Sequence, residues 1–303
     1  MPLTVTVLTP TWNAAHWARQ AAESVRAQSG QIEIEHLILD ASSTDGTVEQ
    51  ILQGNPAATV VVETVRDGLY AALNRGLARA KGDVIGWLNA DDYWRPDAGA
   101  RALHALEANP AAVLAYGDLE RMAADGQTRT IVHHDDAVQS AADGDLVDGF
   151  VTPLCCFWRR EALVDLGPYD AALKIVADRD LWLRLASRRP RPQVAHIPGV
   201  IGTFREHEGS LSSGVRGMYR TIHDHATLWR RWAAAPEATA AMRTHARTLW
   251  QIALLDLATR EVKTLHLAKA ARSLRDLVGS GNGWWKPIAS VPANLRRRRA
   301  AVE

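Results

Sequence analysis

The chain has 303 residues, 47% of them apolar, and its 35 Lys and Arg against 34 Asp and Glu leave a formal charge of +1. That length and apolar content suffice for one main domain plus an extension, and the even charge excludes nucleic acid as the principal partner, because no cationic excess exists to neutralise phosphates. No apolar run reaches the roughly 18 to 20 residues that span a bilayer, Met1 lies too close to the first strand for a signal peptide, and the adjacent Cys155 and Cys156 read as buried thiols of a reducing compartment, so a cytoplasmic protein is expected.

Thr4 to Asn13 alternates Val and Thr and breaks at Pro10, which predicts a strand; Ala14 to Gln28 predicts a helix. A second strand runs from His36 into the polar turn that ends at Thr47, where the spacing of Thr47 and Gln50 suggests a capping box opening a helix over Thr47 to Leu52. Leu69 to Ala80 is helical in pattern. Val84 to Leu88 is an apolar strand that runs into the carboxylate pair Asp91 and Asp92. Adjacent acids at the end of a buried strand repel each other, and a divalent cation with an anionic ligand would offset this; an ordinary acidic turn is the bland alternative.

Alternating strand and helix implies a mainly parallel sheet flanked by helices, whose ligands bind in the crevice beyond the carboxyl ends of the strands. If Ala177 to Ser187 is helical, Asp178 and Leu181 share a face and Asp180 points elsewhere. Past Ser213 the chain becomes rich in Ala, Leu and Arg, and Tyr219 to Trp232 and Ala238 to Val278 predict two or three helices packed on the main domain, with Trp229, Trp232, Trp250 and Leu254 as core. The expected organisation is a main domain over 1–213, divided near residue 95, a helical extension over 214–280 and a tail over 281–303. That tail joins Trp284, Trp285 and Lys286 to the run Arg296 to Arg299, which suits either an anionic membrane surface or a solvated end.

Five motifs in order carry a family resemblance across Leu3 to Leu211: PTWN at Pro10 to Asn13, LDASSTDGT at Leu39 to Thr47, DGLYAALNRGLARAKGD at Asp67 to Asp83, NADD at Asn89 to Asp92 and ADRDLWLRL at Ala177 to Leu185. Together they resemble the GT-A glycosyltransferases of family 2, inverting sugar transferases of exopolysaccharide, lipopolysaccharide and capsule assembly. The resemblance implies a Rossmann-like GT-A fold, a nucleotide-sugar donor, Mn2+ or Mg2+ as cofactor, and a glycan or polyprenyl-linked glycan acceptor at the inner face of the plasma membrane. It places the donor on Pro10, Thr11, Asn13, Asp40, Ser42, Asp67, Gly68, Asn74, Asn89 and Asp91, with Asp40 on the base. Uridine is the expected nucleoside, because a carboxylate accepts a hydrogen bond from the imide N–H of uracil. Asp92 is implied as the direct metal ligand, with Asp91 on the ribose or on metal-bound water. Asp178 takes the position of the catalytic base.

GTFREHEGSLS, Gly202 to Ser212, resembles a further segment in which His207 completes the metal site and Arg205 meets the diphosphate; Asp180 and Trp182 are further acceptor or diphosphate candidates. The chain departs from the family pattern at Leu73, where relatives carry Arg, at Asn89, where many carry Asp, and at Ala177, where the usual acidic pair has Glu. With Leu73 in that place, recognition of the base or phosphate is expected to rest on Asp40, Asp67 and backbone groups, or on Arg66 from the preceding loop. These departures support a rival reading, a catalytically silent nucleotide- or glycan-binding protein on the same fold. A nucleotidyltransferase is the second rival, but PTWNAAHW lacks the Gly-rich phosphate loop such enzymes use.

Overall fold

The computed structural model describes residues 3–62, 66–134, 150–211, 214–263 and 266–280. The tail carrying Trp284, Trp285, Lys286 and the arginine run lies outside the described residues. Strands β1 (Val5–Thr11), β2 (Ile34–Asp40), β3 (Thr59–Val62) and β4 (Val84–Trp87) form a parallel half-sheet in the order β3-β2-β1-β4. Helices α1 (Ala15–Arg26), α2 (Thr47–Gly54) and α3 (Leu69–Arg79) make the crossovers. Val5, Val7, Leu8, Leu37, Ile38 and Leu39 are all buried, because a parallel strand covered by helices on both faces needs continuous rather than alternating apolarity.

Beyond β4 the sheet becomes mixed. Strand β5 (Tyr93–Trp94), helix α4 (Ala98–Ala108), strands β6 (Ala112–Met122), β7 (Arg129–Val132) and β8 (Cys156–Arg159), helices α5 (Arg160–Leu166) and α6 (Ala177–Ser187) and strand β9 (Gln193–Arg205) follow. Strand β8 lies antiparallel between β4 and β6, while β9 runs parallel to β6 and holds β5 at its other edge. Gly86 in β4 makes room for the Trp94 indole, from which a Cβ at position 86 would lie only 2.6 Å away. Trp94 donates from Nε1 to Leu154 O at 2.8 Å, which anchors the chain just after the acidic turn.

Helices α7 (Gly214–Ala234), α8 (Ala240–Lys263) and α9 (Leu267–Gly279) complete the described chain. Trp229, Trp232, Met242 and Leu249 join the same buried cluster as the sheet residues, so α7 and α8 are continuous with the main core. The buried Glu261 ties the three helices together, accepting from Tyr219 Oη and Ser273 Oγ at 2.9 Å each. Among the described residues, no helix is long and apolar enough to cross a membrane. Cys155 and Cys156 are buried thiols outside any disulfide, donating to Asp118 O and Thr152 O at 3.5 Å, and burial pushes both above the ordinary thiol range.

One local expectation is corrected. The capping box at Thr47 does not form: Gly46, at φ +91°, precedes the helix and no side chain caps it there. Asp45 instead accepts the N–H of Thr47 at 3.1 Å and the N–H of Ala15 at 3.0 Å, so one carboxylate serves the starts of both α2 and α1.

Candidate active site

The parallel half-sheet brings three loops to one edge. Thr11 and Asp40 pair in register at the ends of β1 and β2, and Leu8 pairs with Trp87 near the end of β4. Thr11 Oγ1 donates to Asp40 Oδ1 at 2.9 Å, while Ser43 donates to the same carboxylate from its backbone N–H at 2.9 Å and its hydroxyl at 2.6 Å. Asp40 is therefore buried and organises its own loop; a carboxylate has lone pairs beyond these three contacts, so a further donor is stereochemically admissible.

The loop after β1 interlocks with it. Asn13 donates its backbone N–H to Ser43 Oγ at 2.9 Å and accepts the Thr44 N–H on Oδ1 at 3.0 Å. Asn13 (φ 47°) and Ser42 (φ 56°) are the two non-glycine residues with positive φ among those described, and both lie here. Such strain is maintained only where surrounding contacts over-determine the backbone, and it concentrates at ligand clamps.

Pro10 stands half-buried at the end of β1, and beyond it Trp12 is 57% exposed. The Arg66 guanidinium lies 5.3 Å from the Trp12 ring centroid and donates to Ala41 O and Ser42 O at 3.0 Å. Asp67 is held by Arg75 in a two-point pair at 2.7 and 3.0 Å, which keeps its carboxyl below the usual range. Gly68, at φ +113°, turns the chain into α3.

The acidic turn is built differently at its two acids. Asp92 is 1% exposed, and both its oxygens are taken: Oδ1 accepts the Arg205 N–H at 3.0 Å and Oδ2 accepts from Asn89 Nδ2 at 3.1 Å. Burial, then the neighbouring charge of Asp91, pushes its carboxyl well above the usual range. Asp91 retains 25% exposure and meets His207 Nε2 at 2.9 Å. Arg205 stacks on Trp17 at 4.0 Å and donates to Asp91 O at 3.1 Å and to Gln20 Oε1. Its guanidinium is thus committed to holding the turn rather than extended toward a diphosphate.

A contact chain links this turn to Asp178. Trp87 Nε1 donates to Asn89 Oδ1 at 2.7 Å, and the rings of Trp87, Tyr70 and Tyr169 meet pairwise at 5.6 to 6.0 Å. Tyr70 Oη lies 2.8 Å from Ile175 O and 3.1 Å from Asp178 Oδ1. The Arg179 N–H also donates to Oδ1 at 2.8 Å, which leaves Oδ2 without a hydrogen bond among the described residues. Burial pushes Asp178 up from 3.8 to about 6, although the Arg179 amide, the Arg179 charge and Tyr70 all favour the ionised form.

Three sequence candidates face elsewhere. Trp182 is a correction: it is buried among Tyr116 and Trp158 and belongs to the core. Asp180 accepts from Trp232 Nε1 at 2.9 Å and Arg184 Nε at 3.0 Å, which turns it toward α7 and away from Asp178. Asn74 spends both amide groups on the backbone of Tyr169, donating to its O and accepting from its N–H at 2.8 Å each. Leu73, where relatives of the pattern carry Arg, is buried in the core.

Sequence reasoning missed Asp45, Tyr70 and Trp87. Asp45 was legible as the acid beside a helix start, whereas the contact of Tyr70 with Asp178 spans 108 residues and leaves no local signal. Asp118, within β6, accepts from His133 Nδ1 at 2.9 Å and the His134 N–H at 3.2 Å, a cluster with no readable motif either.

Comparison with known proteins places this geometry. The family described as Glycosyl transferase family 2 matches residues 6–167, more than half of the chain. A glycosyltransferase of Mycobacterium tuberculosis is 29% identical over 185 residues, covering 60% of this chain and 69% of its own. S. aureus TarS 1-349 in complex with UDP-GlcNAc superposes with a TM-score of 0.66 at 14% identity, over 92% of this chain and 81% of that one. The mannosyltransferase PcManGT of Pyrobaculum calidifontis, in complex with GDP-Man and Mn2+, gives 0.58 at 19% identity over 96% and 79%. At those identities the two structures establish the fold alone, a GT-A arrangement with helices α7 to α9 appended. The family match, by contrast, is made on the sequence itself and spans the strands and loops that line the crevice, so this chain belongs to glycosyl transferase family 2 and is a glycosyltransferase.

Proposed function

We propose that the protein transfers a sugar, with inversion, from a UDP-sugar to a hydroxyl of a glycan or lipid-linked glycan in cell-surface polysaccharide assembly, with a divalent cation as cofactor and Asp178 as general base. The observation that carries this reading is the Asp178 carboxyl: raised to about 6, with Oδ2 open, and joined through Tyr70 and Trp87 to the turn that bears Asp91. A carboxylate poised near the working pH is the better proton acceptor for an attacking hydroxyl. Asp180, the other acid of α6, is committed to Trp232, so no second acid there offers itself as a covalent nucleophile and direct displacement follows.

The residues present fit a hard cation. No group of three protein ligands forms among the described residues, but Asp91 Oδ2 and His207 Nε2 converge at 2.9 Å on the open side of the turn. Two protein ligands suffice where diphosphate oxygens complete the shell, and Mn2+ accompanies GDP-Man in a protein of this fold. When bound, such a cation neutralises charge on the departing diphosphate. In this reading Asp91 takes the direct role first expected of Asp92, because Asp92 is 1% exposed and already accepts on both oxygens, whereas Asp91 retains 25% exposure. Asp92 and Arg205 position the turn instead. The Gly209 N–H, 3.2 Å from His207 Nδ1, favours the tautomer with the ring proton on Nε2 facing Asp91; His207 would hold a cation through Nε2 as the other tautomer, with its proton on Nδ1.

Asp40, Trp12 and Arg66 frame the nucleoside end, and Asp40 supports uridine through the imide N–H. Calorimetric titration of UDP and GDP in the presence of Mn2+ tests this; tighter binding of GDP would overturn it. Release of UDP from UDP-sugars in Mn2+ separates the enzyme from a silent binding protein, since a silent protein binds without turnover.

A further inference from the structure

The family match ends at residue 167, and α7 begins at Gly214, yet α7 grips the segment that carries the general base at three points. Arg231 pairs with Asp170 at 2.7 Å, Trp232 holds Asp180, and the buried Asp224 accepts two consecutive backbone amides, Lys174 N–H at 2.5 Å and Ile175 N–H at 2.8 Å, on the single atom Oδ2. Ile175 is therefore fixed on both sides, because its carbonyl oxygen lies 2.8 Å from Tyr70 Oη. Tyr70 has one hydroxyl proton and two acceptors within reach, Ile175 O and Asp178 Oδ1.

We propose that Asp224 is a positioning residue for the general base: by fixing Ile175 it holds a second acceptor in place, toward which the Tyr70 hydroxyl proton turns when Asp178 is protonated. The inference rests on the reading of Asp178 as base. In the ionised state Tyr70 donates to Asp178 Oδ1. When the acceptor hydroxyl gives its proton to the open Oδ2 of Asp178, the carboxyl loses its charge, Oδ1 becomes a weaker acceptor, and the Tyr70 proton rotates to Ile175 O. One O–H bond breaks in the acceptor and one forms on Asp178, while Tyr70 keeps its own proton throughout.

The groups facing Asp178 are Arg179 on α6, Tyr70 on α3, Tyr169 before α6 and Cys156 on β8. Tyr70, Tyr169 and Cys156 are all pushed up by burial and stay neutral near pH 7, so Arg179 is the charged neighbour in this set. If Ile175 O moves away, the Tyr70 proton has only Asp178 to serve, the ionised carboxylate is permanently favoured and the base weakens.

Carbon-13 NMR titration of the aspartate carboxyls tests this on the full chain without any substrate, the Asp178 resonance being the one lost in Asp178→Asn. Asp224→Glu keeps the charge but displaces the acceptor oxygen, and is expected to lower the Asp178 midpoint from about 6 by about half a pH unit or more. Asp224→Asn is expected to act in the same direction, and Asp224→Glu stands alone if the Asn variant does not fold. In the Tyr70→Phe background neither substitution should move the midpoint further, because the route runs through the phenol. An unmoved midpoint with Tyr70 intact, or an equal shift in both backgrounds, would overturn the proposal, the latter marking a plain charge effect. Turnover surviving in Asp178→Asn would instead remove the base assignment, while the midpoints still report the coupling, so the two readings fail separately.

Discussion

The acidic turn over residues 89–92 and the base segment over residues 170–180 each contain an aspartate raised by desolvation, but their exposure and hydrogen bonds differ. Asp92 has both oxygens filled by Asn89 and the Arg205 N–H. Asp178 receives Tyr70 and the Arg179 N–H on one oxygen and keeps the other open. Burial alone therefore does not mark a reacting acid; a raised carboxyl with one oxygen free of hydrogen bonds is the better candidate. The supports differ too. The turn is clamped by strand β9 through Arg205, whereas the base segment is held by α7; both supports lie beyond the span that matches the family.

The largest effect expected on this contrast comes from Asp91. Asp91→Ala, or excess chelator, should abolish Mn2+-dependent UDP binding by calorimetry and reduce turnover by about 10³-fold, since it removes the electrostatic stabilisation of the leaving group. If Asp92→Asn proved as damaging to metal-dependent binding as Asp91→Ala, the division of labour within the turn would be wrong.

Next is the base. Asp178→Asn should lower kcat by about 10²-fold or more while UDP affinity stays within about twofold, because proton transfer is lost and binding is not. The rate of the unaltered enzyme should rise with pH through about 6 and level above it, as Asp178 must be ionised to accept a proton. A pH–rate profile flat from pH 5 to 8 would sever the link between Asp178 and the rate.

The same substitution should affect stability in the opposite sense. Because the folded-state value of Asp178 lies above its ordinary 3.8, the native chain binds this proton more tightly than the unfolded chain, and stability falls as pH rises from about 4 to about 6. Asp178→Asn should then stabilise the protein by about 2 kcal/mol at pH 7.5, with the difference gone below about pH 4, as urea unfolding at the two pH values would show. Equal stability at both would mean that the burial cost is met elsewhere.

Asp180→Ala provides the control on the same helix. It leaves Trp232 Nε1 and Arg184 without their partner, so a loss of about 1 to 3 kcal/mol is expected by denaturant unfolding, with kcat changed far less than in Asp178→Asn. A kcat loss exceeding that of Asp178→Asn would reverse the assignment of the two acids. The smallest effect is expected at the crevice mouth: Trp12→Ala removes the Arg66 contact and should cost about 0.5 to 1 kcal/mol of UDP affinity at most through that pair.

How much was legible follows from how local each signal is. The strand ends at Asp40 and Asp92 announce themselves because apolar runs stop at polar turns, and parallel topology brings such turns to one edge. Helix α6 places Asp178 and Asp180 two positions apart, and the angle per residue separates their directions. The misplacement of Trp182 shows the limit of this reasoning: periodicity says which helix face is apolar, but not that Tyr116 and Trp158 arrive from two strands to cover it. The capping box failed for a similar reason, since Asp45 competed for the same amide and served a second helix as well.

By itself the sequence determined the alternation of strand and helix, the GT-A class and the order of polar turns along the crevice, because periodicity and turn chemistry act over only a few residues. The tertiary structure alone decided which of two adjacent carboxylates faces solvent, which oxygen of Asp178 is without a hydrogen bond among the described residues, and that a helix beginning 47 residues beyond the family match holds the segment carrying Asp178. Those outcomes depend on desolvation and on hydrogen bonds between groups far apart in the chain, such as the Arg205 amide on Asp92, 113 residues away. Such energies are set by what surrounds a group in space, and neighbours in the chain carry no record of it.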